Sequence, residues 1–185
     1  MPDADAAPSS SGLHRVLAEI QRRGAIGRGP VDEAVEHSLQ FVAALPAEAG
    51  TLVDLGSGGG LPGVVIAVHA PMWTIHLIER RAKRADLLRY AVQALDLGNR
   101  VTVHESDARI VAASGSVQAS VVTARSFAPP LEVLAMARPF LVSGGDVVIS
   151  EPPAGQPRWE PVELARLGVV DLGRLGGVRR FRFRS

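Results

Sequence analysis

Residues Leu52 to Gly63 read LVDLGSGGGLPG, an apolar run ending in Asp54 and giving way to glycines at Gly56, Gly58 and Gly60. A short apolar run that breaks into such a turn predicts a buried strand followed by a sharp reversal. Without a Cβ, the turn lets backbone pass against a ligand where any side chain would clash. The stretch from Gly63 to Ala70 is almost free of polar residues and predicts a buried helix whose first amides face that ligand. Dinucleotide-binding turns carry a related glycine repeat. The acid two residues before the first glycine separates this turn from those of dehydrogenases, which usually have an apolar residue there.

The pattern D-x-G-x-G-x-G, carried here by Asp54, Gly56, Gly58 and Gly60, resembles motif I of class I methyltransferases. That resemblance implies S-adenosyl-L-methionine as the cofactor. Ser57 and Leu61 belong to the same turn and are expected at the same site.

Composition sets the frame. A chain of 185 residues with 46% hydrophobic content fits one globular domain. No run reaches the roughly 20 apolar residues of a membrane-crossing helix. The opening MPDADAAPSSSG is acidic and rich in small residues, unlike a signal peptide, so residues 1–11 are expected to be a disordered tail and the protein cytoplasmic. There is no cysteine, hence no disulfide, thiolate metal site or cysteine nucleophile. Net charge is +1, so the molecule as a whole is no polycation.

Helical spacing of Leu13, Val16, Leu17 and Ile20 predicts a helix over 13–23, with Ser11 as its N-cap and Gly24 ending it. A second amphipathic helix is expected over 31–45, with an apolar stripe of Val31, Val35, Leu39 and Val42. Strands are then expected at 51–55, 74–78, 101–104, 119–123 and 146–150, and helices at 62–70, 83–96, 107–113 and 130–141. This alternation means right-handed crossovers and a parallel sheet. Beyond Pro152 and Pro153 a short helix over 159–167 and a hairpin, 169–172 with 178–183 about Gly176–Gly177, complete the pattern. The expected organisation over 12–185 is one α/β methyltransferase domain: N-terminal helices at 12–46, a cofactor-binding core at 51–150, a C-terminal helix and hairpin at 159–185. Its sheet would be seven-stranded, mostly parallel, with helices on both faces.

In open α/β sheets the ligand sits beyond the carboxyl ends of the strands, where strand order reverses. Polar residues stand at those ends. Glu79 follows the second strand, about twenty residues past the glycine turn, where an acid can bind both ribose hydroxyls. Ser106-Asp107-Ala108 follows the third, where Asp107 serves the adenine end or simply caps the next helix. Arg125-Ser126-Phe127 follows the fourth and replaces the Asn/Asp-Pro-Pro-aromatic motif of amino-group methyltransferases. With no cysteine for carbon-5 chemistry, the acceptor is expected to hold a free lone pair, as a ring nitrogen does. Such a transfer needs alignment more than a base. His14, His37, His69, His76 and His104 lack paired metal-ligand spacing, so no metal is expected.

The longer segment DLGSGGGLPG, with Leu-Pro-Gly directly after the third glycine, resembles the 16S rRNA guanine-N7 methyltransferases, the glucose-inhibited division protein B family. His37-Ser38-Leu39, Glu79-Arg80-Arg81-Ala82-Lys83-Arg84 and Ala124-Arg125-Ser126-Phe127 resemble further segments of that family. The resemblance spans about residues 31 to 150. It implies that Gly56, Leu61, Glu79, Arg80, Ala108 and Arg109 line the cofactor and that Arg125 stands between cofactor and acceptor as the catalytic residue. It also implies that His37, Lys83 and Arg84 face the substrate, 16S rRNA in the small ribosomal subunit. Arg80, Arg81, Lys83 and Arg84 crowd a helix start, where cations are disfavoured, which suits an anionic partner. Two positions depart from the family: Asp107 stands where arginine is frequent, and Ser150-Glu151 stands where the family has Lys-Gly. The departures keep two alternatives open, a small-molecule methyltransferase and a non-catalytic cofactor-binding module. A nucleotide-dependent oxidoreductase fits least.

Overall fold

The computed structural model describes residues 10–153 and 158–184. Two helices, α1 (Ser10–Arg22) and α2 (Val31–Ala43), precede an alternating core. It comprises β1 (Thr51–Leu55), α3 (Gly63–His69), β2 (Thr74–Glu79), α4 (Ala82–Ala94), β3 (Val101–Glu105), α5 (Ala108–Ser114), β4 (Ala119–Ala124), α6 (Pro130–Ala137) and β5 (Leu141–Ser150). A short α7 (Pro161–Arg166) leads into the hairpin β6 (Val169–Leu175) and β7 (Val178–Phe183). The seven strands form one sheet in the order β3-β2-β1-β4-β5-β7-β6. β1 through β5 pair in parallel, while β7 runs antiparallel to both β5 and β6.

Side chains alternate across each strand, so each face of the sheet builds its own core. Leu52, Ile75, Leu77, Val121 and Val148 face α1 to α4 and pack on Leu17, Phe41, Ile66 and Leu88. Val53, Leu55, Ile78, Val122 and Val147 face the other side and pack on Val111, Leu134, Leu164 and Phe181. Trp159 closes that second core with its ring 4.4 Å from Phe181. The hairpin is tied to β5 by Asp146, which is buried and accepts from Arg180 Nε at 2.9 Å and Arg182 Nε at 2.7 Å.

Three expectations are corrected. The first helix begins at Ser10, so Ser10 and Ser11 belong to it rather than to a tail or a cap; the His14 ring bonds the Ser10 carbonyl at 2.7 Å and holds that turn. Residues 1–9 lie outside the described residues. The helix expected to run to 141 stops at Ala137, because Pro139 follows, and Arg138–Phe140 form a tighter 3-10 turn. The fifth strand starts at Leu141, not 146: Gly144, with φ +72°, sits in a register shift against β4 that lets the strand continue through the glycines. In α2, Ser38 and Phe41 are buried with Val35, whereas Val31, Leu39 and Val42 are only partly covered.

Candidate active site: two cavities at the crossover of the sheet

The chain runs outward through β1, β2 and β3, then returns to set β4 beside β1. The loops after β1 and β4 therefore diverge and leave a crevice at their carboxyl ends, the place where such sheets bind ligands. Two cavities open there. The larger, about 970 Å³, is bordered by Gly56, Glu79, Arg84, Asp107, Arg109 and Phe127, among others. The smaller, about 330 Å³, is bordered by His37, Arg125, Glu151 and Arg158, among others. Ser126 and Ala128 line both, so the segment after β4 is their common wall.

The glycine turn meets the larger cavity with backbone rather than side chains. Gly56, Gly58 and Gly60 have φ of +65°, +55° and +95°. A Cβ on Gly56 would lie 2.5 Å from the Phe127 ring, so that ring rests directly on the turn. Beneath the turn, Asp54 is fully buried and accepts from Thr123 Oγ1 at 2.7 Å. Its other oxygen, Oδ2, has no hydrogen-bond partner among the described residues. Burial pushes the Asp54 carboxyl up to about 6, while Thr123, Ser57, the Gly63 amide and the Arg125 charge work against that rise. Ser57 links the turn to its neighbours by donating its hydroxyl to the Asp54 carbonyl at 2.9 Å and its N–H to the Ile78 carbonyl at 3.0 Å.

Glu79 closes β2 and is only 5% exposed. Its carboxylate accepts from the Gly58 N–H at 3.1 Å and the Arg81 N–H at 2.8 Å. It thus braces the glycine turn and serves the start of α4 while facing the cavity. Asp107 caps α5 by accepting from the Arg109 N–H at 2.9 Å, and it also lines the cavity. Arg125 is half-buried, and desolvation holds its guanidinium below the usual arginine range, partly offset by the Asp54 carboxylate. His37 sits across the smaller cavity, with burial and then the Arg125 charge lowering its basicity. Neutral imidazole is its form at neutral pH.

The expected site residues thus divide into groups. Gly56, Glu79, Arg80, Asp107, Ala108 and Arg109 border the larger cavity; His37 and Arg125 border the smaller. Asp54, Ser57, Gly58 and Gly60 are buried in the turn behind it, where a Cβ on Gly60 would strike Val64 at 2.6 Å. Leu61 packs against the core on the α1–α4 face. Arg84, read as facing the substrate, instead borders the larger cavity, and Lys83 stands exposed on the first turn of α4. Arg81 and Ser106, named above only as members of their segments, also border that cavity, as does Met136, which nothing in its local pattern distinguishes from an ordinary helix residue. Among the described residues, no three His, Cys, Asp or Glu side chains gather as a metal site, and no helix is long and apolar enough to cross a membrane.

A seven-stranded sheet in this order, crossed over at a glycine turn and ending in an antiparallel hairpin, is the fold of class I S-adenosylmethionine-dependent methyltransferases. The glycopeptide N-methyltransferase MtfA, solved with S-adenosyl-L-methionine, superposes with a TM-score of 0.63 at 13% identity, over 82% of this chain and 94% of that one. Residues 31–151 match the GidB family, rRNA small subunit methyltransferase G, and the chain belongs to that family. Ribosomal RNA small subunit methyltransferase G of Thermobifida fusca is 33% identical over 178 residues, covering 92% of this chain and 74% of the relative. Its counterpart from Laribacter hongkongensis is 36% identical over 111 residues, 60% of this chain and 52% of the relative. The chain spans about half the length of several such curated relatives.

Proposed function

We propose that this protein binds S-adenosyl-L-methionine in the larger cavity and transfers its methyl group to a guanine N7 of small-subunit ribosomal RNA held in the smaller one. The observation that carries the proposal is the shared wall at Ser126 and Ala128, which sets the two cavities edge to edge at the crossover of the sheet. Membership of the rRNA small subunit methyltransferase G family supports the acceptor. At 330 Å³, the smaller cavity is at the low end for a small-ligand site and suits a single flipped base or its like, not a duplex.

The residues present fit the cofactor. Gly56 offers bare backbone to it, with Gly58 directly behind bracing Glu79; Glu79 offers a carboxylate to its ribose, and Asp107, Ala108 and Arg109 frame its base end. Arg80 and Arg84 edge the same cavity, while Asp54, Ser57, Gly60 and Leu61 hold the turn in shape from behind. The cofactor supplies an electrophilic methyl group. Guanine N7 accepts it with its own lone pair and loses no proton, so no general base and no metal are needed. What the chain must supply is alignment and dryness, and these account for most of the rate in such a transfer. Arg125, half-buried at the common wall, orients the base; His37, neutral beside it, shapes the cavity. Lys83 meets RNA phosphate. Residues 12–185 act as one methyltransferase domain working on the small ribosomal subunit, in the cytoplasm.

Methylation of undermodified small subunits with labelled cofactor, followed by mapping of the modified base, tests the proposal. A single labelled guanine N7 is the expected result. Label on small molecules but never on the subunit would favour the alternative acceptor.

A further inference from the structure

Glu151 is the chemical oddity of the smaller cavity, a carboxylate where an RNA-facing surface would ordinarily carry a cation. It is held firmly. Its main-chain N–H donates to the Gly177 carbonyl at 2.7 Å, fixing the end of β5 to the hairpin turn. Its side-chain Oε1 accepts from Trp159 Nε1 at 2.6 Å. Trp159 is itself buried against Phe181, so the hydrogen bond comes from a rigid donor. Among the described residues, only Trp159 hydrogen-bonds this carboxylate. Arg125 and Arg158 border the same cavity, and neither forms an ion pair with Glu151 among the described residues.

Resting on the proposed guanine-N7 reading, we infer that Glu151 is the specificity-determining residue of a guanine subsite, accepting hydrogen bonds from the N1–H and 2-amino group of the target base. The chemistry selects one base. Guanine alone presents two adjacent donors on its Watson–Crick edge, which a carboxylate accepts side by side. Adenine presents a ring-nitrogen acceptor there, which a carboxylate repels. N7 lies on the opposite edge of the purine, so a carboxylate gripping N1 and the 2-amino group leaves N7 directed away from Glu151. An arginine bidentate to N7 and O6, the usual way proteins read guanine, would cover the atom to be methylated. Reading guanine from the far edge with an acid avoids that conflict. The acid at 151 thus fits an RNA substrate: it faces a base rather than a phosphate.

The test compares small-subunit RNA carrying guanine with the same RNA carrying inosine at the methylated position. Inosine keeps N7, O6 and N1–H and lacks only the 2-amino group. The wild-type protein should prefer guanine by about 10- to 150-fold in kcat/KM, the effect of one lost hydrogen bond to a charged acceptor. Glu151→Gln keeps an oxygen for Trp159 and turns an NH2 toward the base. Its preference should collapse toward parity, because guanine RNA loses the contact to its 2-amino group as well as the weakened N1–H contact that inosine RNA shares, so transfer falls further on guanine than on inosine. Trp159→Phe, which removes the donor fixing the carboxylate, should weaken the preference partially and provides a second reading if Glu151→Gln folds poorly. Equal loss on both RNAs in Glu151→Gln, or a wild-type protein indifferent to the 2-amino group, would overturn the inference while leaving the methyltransferase reading intact. If the wild-type protein methylates neither RNA, the guanine-N7 reading itself fails and the subsite falls with it.

Discussion

Thr123 donates its hydroxyl to Asp54 Oδ1 at 2.7 Å, across two strands that face each other residue for residue in the register of β1 and β4. This contact joins the strands on either side of the crossover directly beneath the glycine turn. It holds one oxygen of a fully buried acid and leaves the other without a partner among the described residues. Burial resists ionisation of this carboxyl more than the Thr123 bond and its other polar neighbours favour it, and Asp54 rises from 3.8 to about 6.

The first prediction follows from that shift. Because the folded-state value is raised, the contribution of Asp54 to stability is fully present below about pH 4 and is lost as pH rises through about 6. The loss approaches roughly 3 kcal/mol at full ionisation. Melting of the ligand-free protein by calorimetry should show the wild type losing stability between about pH 4 and 6.5 relative to Asp54→Asn, which carries no such charge. Parallel profiles for the two proteins would show that Asp54 is ionised in both folded and unfolded states alike.

A second prediction separates two glycines of the same motif. A Cβ on Gly63 would lie 2.4 Å from Leu77 Cδ2 and 2.6 Å from Asp54 Oδ2, both buried. Gly63→Ala should therefore cost about 1–3 kcal/mol of stability by overpacking. At Gly58 the nearest atoms are 3.7 Å away, but φ is +55° and the amide donates to Glu79. Gly58→Val places a branched side chain in a left-handed conformation just behind the cavity, beside Arg84 and the amide that Glu79 accepts, so cofactor binding should be lost with a smaller change in melting. Calorimetric titration and thermal melting on both variants check the contrast; equal melting losses would dissolve it.

Glu79 is expected to act on fold and ligand together. Its carboxylate accepts two main-chain amides, from Gly58 and Arg81, before any ligand arrives. Each such charge-assisted bond contributes about 1.5–3 kcal/mol. Glu79→Ala should lower both melting temperature and affinity for S-adenosylmethionine. Glu79→Gln should lower both less, since one amide keeps its acceptor while the other meets an NH2. A variant with full stability and weakened binding would mean that the carboxylate serves the ribose alone.

The order of elements was legible because it rests on period and punctuation. Strand β1, the glycine turn and α3 follow from an apolar run, three glycines and an unbroken apolar stretch over residues 63–68. Glu79 and Asp107 were placed at the cavity by counting to the carboxyl ends of their strands. What escaped was set by three-dimensional neighbours. The sequence pattern predicts the fifth strand only from 146, yet a register shift against β4 absorbs Gly144–Gly145 into β5. The buried Ser38 is invisible to an apolar-stripe search, since its hydroxyl is satisfied locally by the Ala34 carbonyl at 2.7 Å. Glu151 stood out only as a departure. Its meaning depends on Trp159, eight residues later, and on a cavity no local pattern can foretell.

The final prediction splits a pair that the family resemblance joins. Lys83 and Arg84 are adjacent at the start of α4, and the resemblance implies that both face RNA. The helix turns them apart: Lys83 is exposed, whereas Arg84 is half-buried on the larger cavity, its Nη1 3.7 Å from where a Gly58 Cβ would lie. Lys83→Ala should weaken binding to small-subunit RNA, reduce the log–log salt dependence by about one unit or slightly less, and leave cofactor affinity unchanged. Arg84→Ala should do the reverse, weakening the cofactor while leaving the salt slope in place, because a side chain committed to the cavity makes no phosphate contact. Gel shifts across a salt series, run beside cofactor titrations on the same preparations, read both effects. If both variants flatten the salt slope equally, Arg84 swings out to the RNA; if neither does, the start of α4 is not the RNA-facing edge and the phosphates must be met elsewhere on the molecule.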